Sequence, residues 1–178
     1  MDAYDSGRLK HLFDTCVGDA RDSYGRGAAL EDLVAYVFTS VPTVELFARD
    51  IKDDSGAQEV DLVFSHLYHL SLLPMPDVTI IIECKNEQQR TSAKQIRDFG
   101  GKLRSRNMNI GIFVTAAGLS GGPEKAAHSA IRDELSTGVT IIVVTANELA
   151  ALAGPDGLAR LLRARLNELR TFRAYYSI

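Results

Sequence analysis

An acid and a base stand two residues apart at the end of the apolar stretch 78–85. Side chains alternate between the two faces of a β-strand, so Glu83 and Lys85 point to the same side. A second acid, Asp61, lies inside the apolar stretch 59–65, where a carboxylate is costly unless it is paired or binds a cation. Two carboxylates supply the hard oxygen ligands that suit Mg²⁺, and a neighbouring lysine stabilises charge that develops on a phosphate. The residue types and their spacing therefore indicate a metal site for phosphoryl chemistry.

Each of these residues also has an ordinary structural interpretation. Asp61 alone could be a rim residue of a strand, and Glu83 with Lys85 could be a simple pair at a strand end. The functional interpretation is favoured because an acid–x–base pattern at the end of one buried strand coincides with an acid buried in the preceding strand. Cys84 has no histidine positioned beside it and is interpreted as a small buried residue rather than a nucleophile.

Hydrophobic periodicity predicts the elements that must position these side chains. Helical spacing of apolar residues predicts helices at 7–22, 28–40, 91–104, 123–135, 147–152 and 156–170. Continuous or alternating apolar stretches predict strands at 44–51, 59–65, 78–85, 109–115 and 139–145. Turn residues at 53–56 make the first two strands an antiparallel hairpin, whereas helical crossovers join the later strands. The sequence therefore predicts an α/β fold with a mixed five-stranded sheet and helices on both faces.

Length and composition restrict the class of protein. A chain of 178 residues suits one domain over 1–178, with a core at about 24–152 and the helices 7–22 and 156–170 packed on it. No apolar run approaches the roughly 18 residues of a membrane span, and the first residues lack the pattern of a signal peptide. The two cysteines are far apart and without metal-ligand spacing, which argues against a zinc site and fits a reducing cytoplasm.

Basic residues are clustered, although the net charge of −3 excludes a chain that is basic overall. One cluster follows the candidate site, and its members that could line a phosphate path are Arg90, Lys94, Arg97 and Lys102. A second cluster, of arginines, lies at 160–173. Solvated helix faces are the alternative interpretation of both clusters, and this alternative is favoured for the second.

Asp61 on one strand and Glu83-Cys84-Lys85 on the next form the pattern Asp…Glu-x-Lys. With this pattern the chain resembles the PD-(D/E)xK nuclease superfamily, and most closely its Mrr-like restriction endonuclease branch. The resemblance covers about 24–152 and rests on an ordered set of segments: R-G-A-A-L-E-D-L, Q-E-V-D-L-V-F, I-I-I-E-C-K-N, Q-I-R-D-F and N-I-G-I-F-V-T-A-A-G. The proline that usually precedes the first acid is replaced by Val60, which is a common departure.

The resemblance implies an αβββαβ nuclease core and Mg²⁺-dependent hydrolysis of phosphodiester bonds, with Mn²⁺ as an alternative ion. Asp61 and Glu83 match the metal-binding acids of the superfamily. The backbone carbonyl of Cys84 matches a further metal ligand, and Lys85 matches the catalytic lysine.

Two more polar residues match positions that often complete the site in this superfamily. Glu31 matches an acid on the first core helix that acts directly or through water, and a solvent-facing acid beside Asp32 is the alternative. Gln95 matches a polar residue on the helix after the third strand, and an ordinary helix residue is its alternative.

The resulting expectation is an endonuclease that acts on DNA, with RNA as the alternative substrate, in restriction or phage defence. No base-reading module is recognisable, so we expect little sequence specificity, or targeting by a fused domain or a partner. A double-strand cut needs two sites and hence suggests a homodimer.

The main alternative is a nuclease fold that binds nucleic acid or a protein partner without cutting, and the intact acid–acid–lysine set opposes it. A doubly wound nucleotide-binding domain is a third interpretation, which the predicted hairpin opposes.

Overall fold

The computed structural model describes residues 3–18, 23–52, 56, 58–120 and 126–173. Its elements along the chain are α1 Ser6–Val17, α2 Ser23–Thr39, β1 Val44–Lys52, β2 Glu59–His66, β3 Thr79–Lys85, α3 Ala93–Ser105, β4 Ile110–Thr115, α4 Ala126–Ser136, β5 Thr140–Thr145, α5 Ala146–Ala150 and α6 Pro155–Phe172. Each predicted strand is present, and its ends lie within one residue of the prediction.

The strands form one sheet in which they pair in chain order, β1-β2-β3-β4-β5. β2 is antiparallel to both β1 and β3, whereas β4 is parallel to both β3 and β5. The parallel neighbours are joined through α3 and α4, because a parallel pair needs a long crossover connection. The predicted α/β fold with a mixed sheet is thereby confirmed. Most of the turn predicted at 53–56 lies outside the described residues, but the strands that it joins are antiparallel as expected.

Side-chain alternation along β3 directs successive residues into two different parts of the core. Ile80 and Ile82 pack in the layer that contains residues of α2, α5 and α6. Ile81 packs in the layer that contains residues of α3 and α4. Continued to the end of the strand, the alternation places Cys84 in the first layer and leaves Glu83 and Lys85 on the α3 side. Residues of α3 can therefore reach the side chains of Glu83 and Lys85.

α2 begins at Ser23, so the predicted start at residue 28 is wrong, and Gly25 and Gly27 lie inside the helix. A glycine inside a helix costs about 1 kcal/mol relative to alanine, which is why the sequence favoured a later start. Tertiary contacts offset this cost, because α2 packs against α1. In addition, the Arg26 carbonyl accepts a 2.6 Å hydrogen bond from Asn86 Nδ2.

Other helix ends differ from the prediction for local reasons. α1 ends at Val17, and residues 19–22 of the predicted helix lie outside the described residues, as do residues 123–125 before α4. α3 begins after Ser92, whose hydroxyl accepts a hydrogen bond from the Gln95 main-chain N–H. Among the described helices, none combines the length with the apolar composition that crossing a bilayer requires.

Candidate active site

Asp61 and Glu83 lie on neighbouring strands at the same end of the sheet. The antiparallel pairing of β2 with β3 places Leu62 opposite Ile82, and the two acids follow that pair outwards. Asp61 Oδ2 accepts a 2.6 Å hydrogen bond from the main-chain N–H of Cys84. The side chain of Asp61 on β2 is thereby fixed to the β3 backbone, next to Glu83.

Lys85 connects the two acids. Its Nζ lies 2.8 Å from Glu83 Oε1 and 3.9 Å from Asp61 Oδ2. The structure therefore brings together the three side chains of the Asp…Glu-x-Lys pattern. The side chains of Asp61 and Lys85 are 16% and 28% exposed, so the cluster can still be reached from solvent.

Glu83 is the most buried member of the cluster, with 4% of its side chain exposed. A second ammonium also holds it, because Lys102 Nζ on α3 lies 2.8 Å from each of the two carboxylate oxygens. The sequence predicts Lys102 as part of a phosphate path, whereas the structure places it against Glu83. The spacing on α3 contains a signal for this position, since Lys102 follows the buried Phe99 by three residues and so shares its side of the helix.

The cluster shifts the acidity of its members in ways that follow from burial and charge. The pKa of Asp61 is raised to about 6, first by burial and then by the charge of Glu83, against the opposing effects of Lys85 and the Cys84 N–H. Burial alone would lower the pKa of Lys85, but the carboxylates of Glu83 and Asp61 outweigh burial and raise it. Lys85 is therefore an ammonium at neutral pH, which donates hydrogen bonds and positive charge.

Glu31 on α2 lies within electrostatic range of the same cluster. Its pKa is raised to about 7, chiefly by burial and then by the charges of Asp50 and Asp61. Arg49 Nη1 lies 4.0 Å from a Glu31 oxygen and 2.8 Å from Asp32. The side chain of Glu31 is 15% exposed and that of Asp32 is 54% exposed, so the solvent-facing acid of the pair is Asp32.

Gln95 lies at the start of α3, and its amide is engaged away from the cluster. Its Oε1 accepts hydrogen bonds from the main-chain N–H and the hydroxyl of Ser92, which completes a capping box. Its Nε2 donates a 3.0 Å hydrogen bond to Glu87. The structure thus places Gln95 in a helix cap, and within the described residues its amide contacts Ser92 and Glu87 rather than Asp61 or Glu83.

The remaining basic residues of the predicted phosphate path are on the surface. Arg90 is exposed in the loop between β3 and α3. Lys94 pairs with Asp98 at 2.7 Å, and Arg97 lies 3.5 Å from Asp133. The positive charges of Lys94 and Arg97 are therefore partly compensated on the protein surface, and the described residues show no ion pair for Arg90.

An open cleft of about 380 Å³ lies beside the cluster, and its lining includes Arg26, Gly27, Cys84, Lys85, Asn86 and Glu87. Asn86 holds one side of the cleft in place. Its Nδ2 donates to the carbonyls of Cys16, at 2.8 Å, and Arg26, at 2.6 Å, and so connects the end of β3 to α1 and α2. The sequence gives no signal for this role except that Asn86 follows the strand end directly.

The oxygen donors of the cluster suit a hard divalent cation. Asp61 and Glu83 are held side by side, and an ammonium already interacts with both. No group of three or more His, Cys, Asp or Glu side chains within the described residues is arranged to hold a metal ion. Mg²⁺ binds to proteins through one or two carboxylates and retains several waters, so two acids are a sufficient side-chain set for it.

Comparison with known protein families identifies the domain that contains this cluster. The Mrr-type catalytic-domain model, described as restriction endonuclease, matches residues 26–153, which include every residue of the cluster. No curated protein matched the chain. The family carries endonuclease activity, with DNA implied as the substrate, and its members typically use divalent metals. The matched residues run from α2 to the end of the α5 region, and the chain therefore belongs to the Mrr-like restriction endonuclease family of PD-(D/E)xK nucleases.

Proposed function

We propose that the chain is a Mg²⁺-dependent endonuclease that hydrolyses phosphodiester bonds of DNA, and that Mn²⁺ can replace Mg²⁺. The observation that carries the proposal is the position of Lys85, whose ammonium contacts Glu83 at 2.8 Å and lies 3.9 Å from Asp61. Two carboxylates and an ammonium held together at the open end of a buried strand can bind a metal ion and stabilise a charged phosphate at one place.

The acids of the cluster are assigned to the metal. Asp61 and Glu83 would hold the divalent cation, with the main-chain carbonyl of Cys84 as a further ligand. When bound, such a cation supplies Lewis-acid stabilisation of phosphate oxygens and lowers the pKa of water. The hydrogen bond from the Cys84 N–H keeps Asp61 directed at this position before any ligand arrives.

Lys85 and Glu31 are assigned to the substrate side of the site. Lys85 remains protonated and donates a hydrogen bond to a non-bridging phosphate oxygen, where it stabilises the charge that develops during hydrolysis. Glu31 is the third acid, which accepts a hydrogen bond from water in the site while Arg49 restrains its carboxylate. Gln95 acts indirectly, since its amide fixes the start of α3 and the side chain of Glu87.

DNA would enter along the loop and helix that follow β3. Arg90, Lys94 and Arg97 are exposed on this side and supply charge for phosphates. Contacts to phosphates carry no sequence information, so we propose that a fused domain or a partner directs the nuclease to its target. We place the whole chain in one nuclease domain of a cytoplasmic protein that acts in restriction or phage defence, with a homodimer for double-strand cuts.

The test is nicking of a supercoiled plasmid, with Mg²⁺ and with EDTA. We expect nicking by the wild type only with Mg²⁺, and a loss of roughly a thousandfold in rate for Asp61→Ala and Lys85→Ala, equivalent to about 4 kcal/mol of transition-state stabilisation. Lys10→Ala is the matched control, because Lys10 is an exposed lysine on α1 that pairs with Asp14 outside the cluster. Cleavage that survives both active-site substitutions would exclude the assigned site.

A second candidate function is a binding module that keeps the nuclease fold without cutting. The observation that favours it is the charge balance of the cluster, in which Lys85 and Lys102 already compensate Asp61 and Glu83. A gel-shift assay with the same proteins separates the two functions. Retained DNA binding without cleavage of DNA or RNA, in either Mg²⁺ or Mn²⁺, would support the binding module and contradict the nuclease.

A further inference from the structure

Lys102 holds Glu83 by both carboxylate oxygens at once, at 2.8 Å each. Lys85 contacts one of these oxygens, also at 2.8 Å. The Glu83 carboxylate is almost completely buried, and both of its oxygens accept charged hydrogen bonds from ammoniums. A divalent cation needs at least one of the same oxygens.

The packing of α3 determines the position of Lys102. The helix buries Phe99 and Leu103 on either side of the lysine, so its stem lies along the sheet. The side chain of Lys102 is 18% exposed, whereas that of Lys94 on the same helix is 84% exposed. Lys102 is therefore built into the site, unlike an ordinary surface lysine.

The charges of the cluster balance in the absence of a metal. Asp61 and Glu83 carry two negative charges, and Lys85 and Lys102 carry two positive charges. A divalent cation that enters beside both ammoniums adds two positive charges within a few ångströms, which is unfavourable in a partly buried place. The least costly response is that one ammonium leaves, and the flexible four-carbon stem of a lysine permits this.

We propose that Lys102 is a positioning residue that occupies Glu83 in the metal-free protein and is displaced when a divalent cation binds there. Displacement frees the ammonium of Lys102 close to the site, where a DNA phosphate is its next partner. Metal binding and phosphate binding are thereby coupled through one side chain. This inference rests on the proposed function, because it takes Glu83 as a metal ligand.

The decisive measurement is the affinity for Mn²⁺ in the absence of DNA, by calorimetric titration at pH 8. We expect Lys102→Met to bind Mn²⁺ about tenfold more tightly than the wild type, because a competing cation is gone, and Lys102→Gln to change in the same direction. Lys102→Arg keeps the charge and should retain an affinity close to that of the wild type. Lys10→Met is the control for removing a lysine elsewhere on the chain.

A second measurement follows the released ammonium. In steady-state nicking, the fold increase in KM for the plasmid that Lys102→Met causes should be at least five times the fold decrease in kcat. Lys102→Arg should restore much of the wild-type KM. A lysine that only stabilises α3 would not change the Mn²⁺ affinity in this direction, and urea unfolding of each variant identifies such an effect.

The outcomes separate this inference from the proposed function. If the wild type binds Mn²⁺, Asp61→Asn does not, and Lys102→Met binds no more tightly than the wild type, the displacement of Lys102 is excluded and the metal site stands. If neither the wild type nor Lys102→Met binds Mn²⁺, both proposals are wrong.

Discussion

Asp61 on β2 accepts a 2.6 Å hydrogen bond from the main-chain N–H of Cys84 on β3. The bond holds the Asp61 carboxylate close to Lys85, whose Nζ lies 3.9 Å from Asp61 Oδ2 and 2.8 Å from Glu83 Oε1. Two acids are thus held near each other in a partly buried place, and burial makes the ionisation of Asp61 costly even though Lys85 lies 3.9 Å from it.

The first prediction concerns that cost. The folded-state pKa of Asp61, about 6, lies above the ordinary value of 3.8, so ionising this carboxyl destabilises the folded protein. The cost is absent below pH 4, grows as the pH rises to 6, and is complete above it. Asp61→Asn keeps an oxygen for the Cys84 N–H and removes the charge. In EDTA at pH 8 it should therefore raise the free energy of unfolding by roughly 2 kcal/mol, with no gain at pH 4.

Urea unfolding at the two pH values checks this prediction, and plasmid nicking in Mg²⁺ is measured on the same protein. The variant should be more stable and inactive. An Asn variant that is less stable than the wild type at pH 8 would show that Lys85 and the Cys84 N–H outweigh the effects of burial and of Glu83 on Asp61, contrary to its raised pKa.

Gln95 provides a second prediction, because its amide completes the cap of α3. Ser92→Ala and Gln95→Ala each break the capping box and should lower the free energy of unfolding by about 1 kcal/mol. If the role of Gln95 is confined to the cap and to Glu87, the two variants should retain similar nicking rates. A much larger loss of activity in Gln95→Ala would indicate that Gln95 also touches the substrate or metal.

The third prediction concerns the DNA path. Arg90 is exposed without an ion pair among the described residues, whereas Lys94 is paired with Asp98. The logarithm of the DNA-binding constant falls linearly with the logarithm of the salt concentration. Arg90→Ala should make this slope shallower by about 1, since it removes one phosphate contact. Lys94→Ala should change it by less, because Asp98 already compensates part of the charge. Binding of a short duplex in EDTA, at several salt concentrations, measures both slopes, and equal slopes would contradict the distinction.

Two adjacent glycines on α3 give a matched pair for stability. A Cβ at Gly100 would overlap the buried carboxylate of Glu134, which pairs with Arg104, whereas a Cβ at Gly101 would meet nothing within 4 Å. We expect Gly100→Ala to lower the free energy of unfolding by about 2 kcal/mol through overpacking. Gly101→Ala should raise it by up to about 1 kcal/mol, since alanine favours the helix. Urea unfolding of the two variants should give changes of opposite sign.

The burial of His128 predicts that part of the protein's stability is lost in acid. It is 2% exposed, and neither ring nitrogen has a hydrogen-bond partner within the described residues. Burial, and then the charge of Arg132, lower the pKa of His128 below its ordinary value of 6.5. The folded state therefore favours the neutral ring. The stability that the neutral ring of His128 contributes is present above pH 6.5 and is lost as the pH falls below it.

The measurement for His128 is the free energy of unfolding at pH 7.5 and at pH 5.5. His128→Leu should lose less stability between the two values than the wild type does. His11→Leu, at an exposed position on α1, is the control. An identical pH dependence in the wild type and His128→Leu would show that the ring is protonated without cost.

The sequence by itself determined the strands and their class of connection. β4 and β5 are buried on almost every residue, and such continuous apolar stretches leave few alternatives to interior strands. Alternation along β3 also determined that Glu83 and Lys85 share a face, because that property depends only on the local period of the strand. The start of α2 was missed, since helix propensity cannot register the packing of α2 on α1 or the hydrogen bond from Asn86 to the Arg26 carbonyl.

Only the tertiary structure decided which side chains meet. The register of β2 against β3 places Asp61 on the Cys84 N–H, and a shift by one residue would turn Asp61 to the other face. The packing of α3 on the sheet brings Lys102 to Glu83 and directs Gln95 to the helix cap instead. These contacts join residues that are 19 to 23 positions apart, or depend on the rotation of a helix, and no local pattern in the sequence specifies either. The chain therefore determines the acids and the lysine of the nuclease pattern, and the fold decides that a second lysine holds one of those acids.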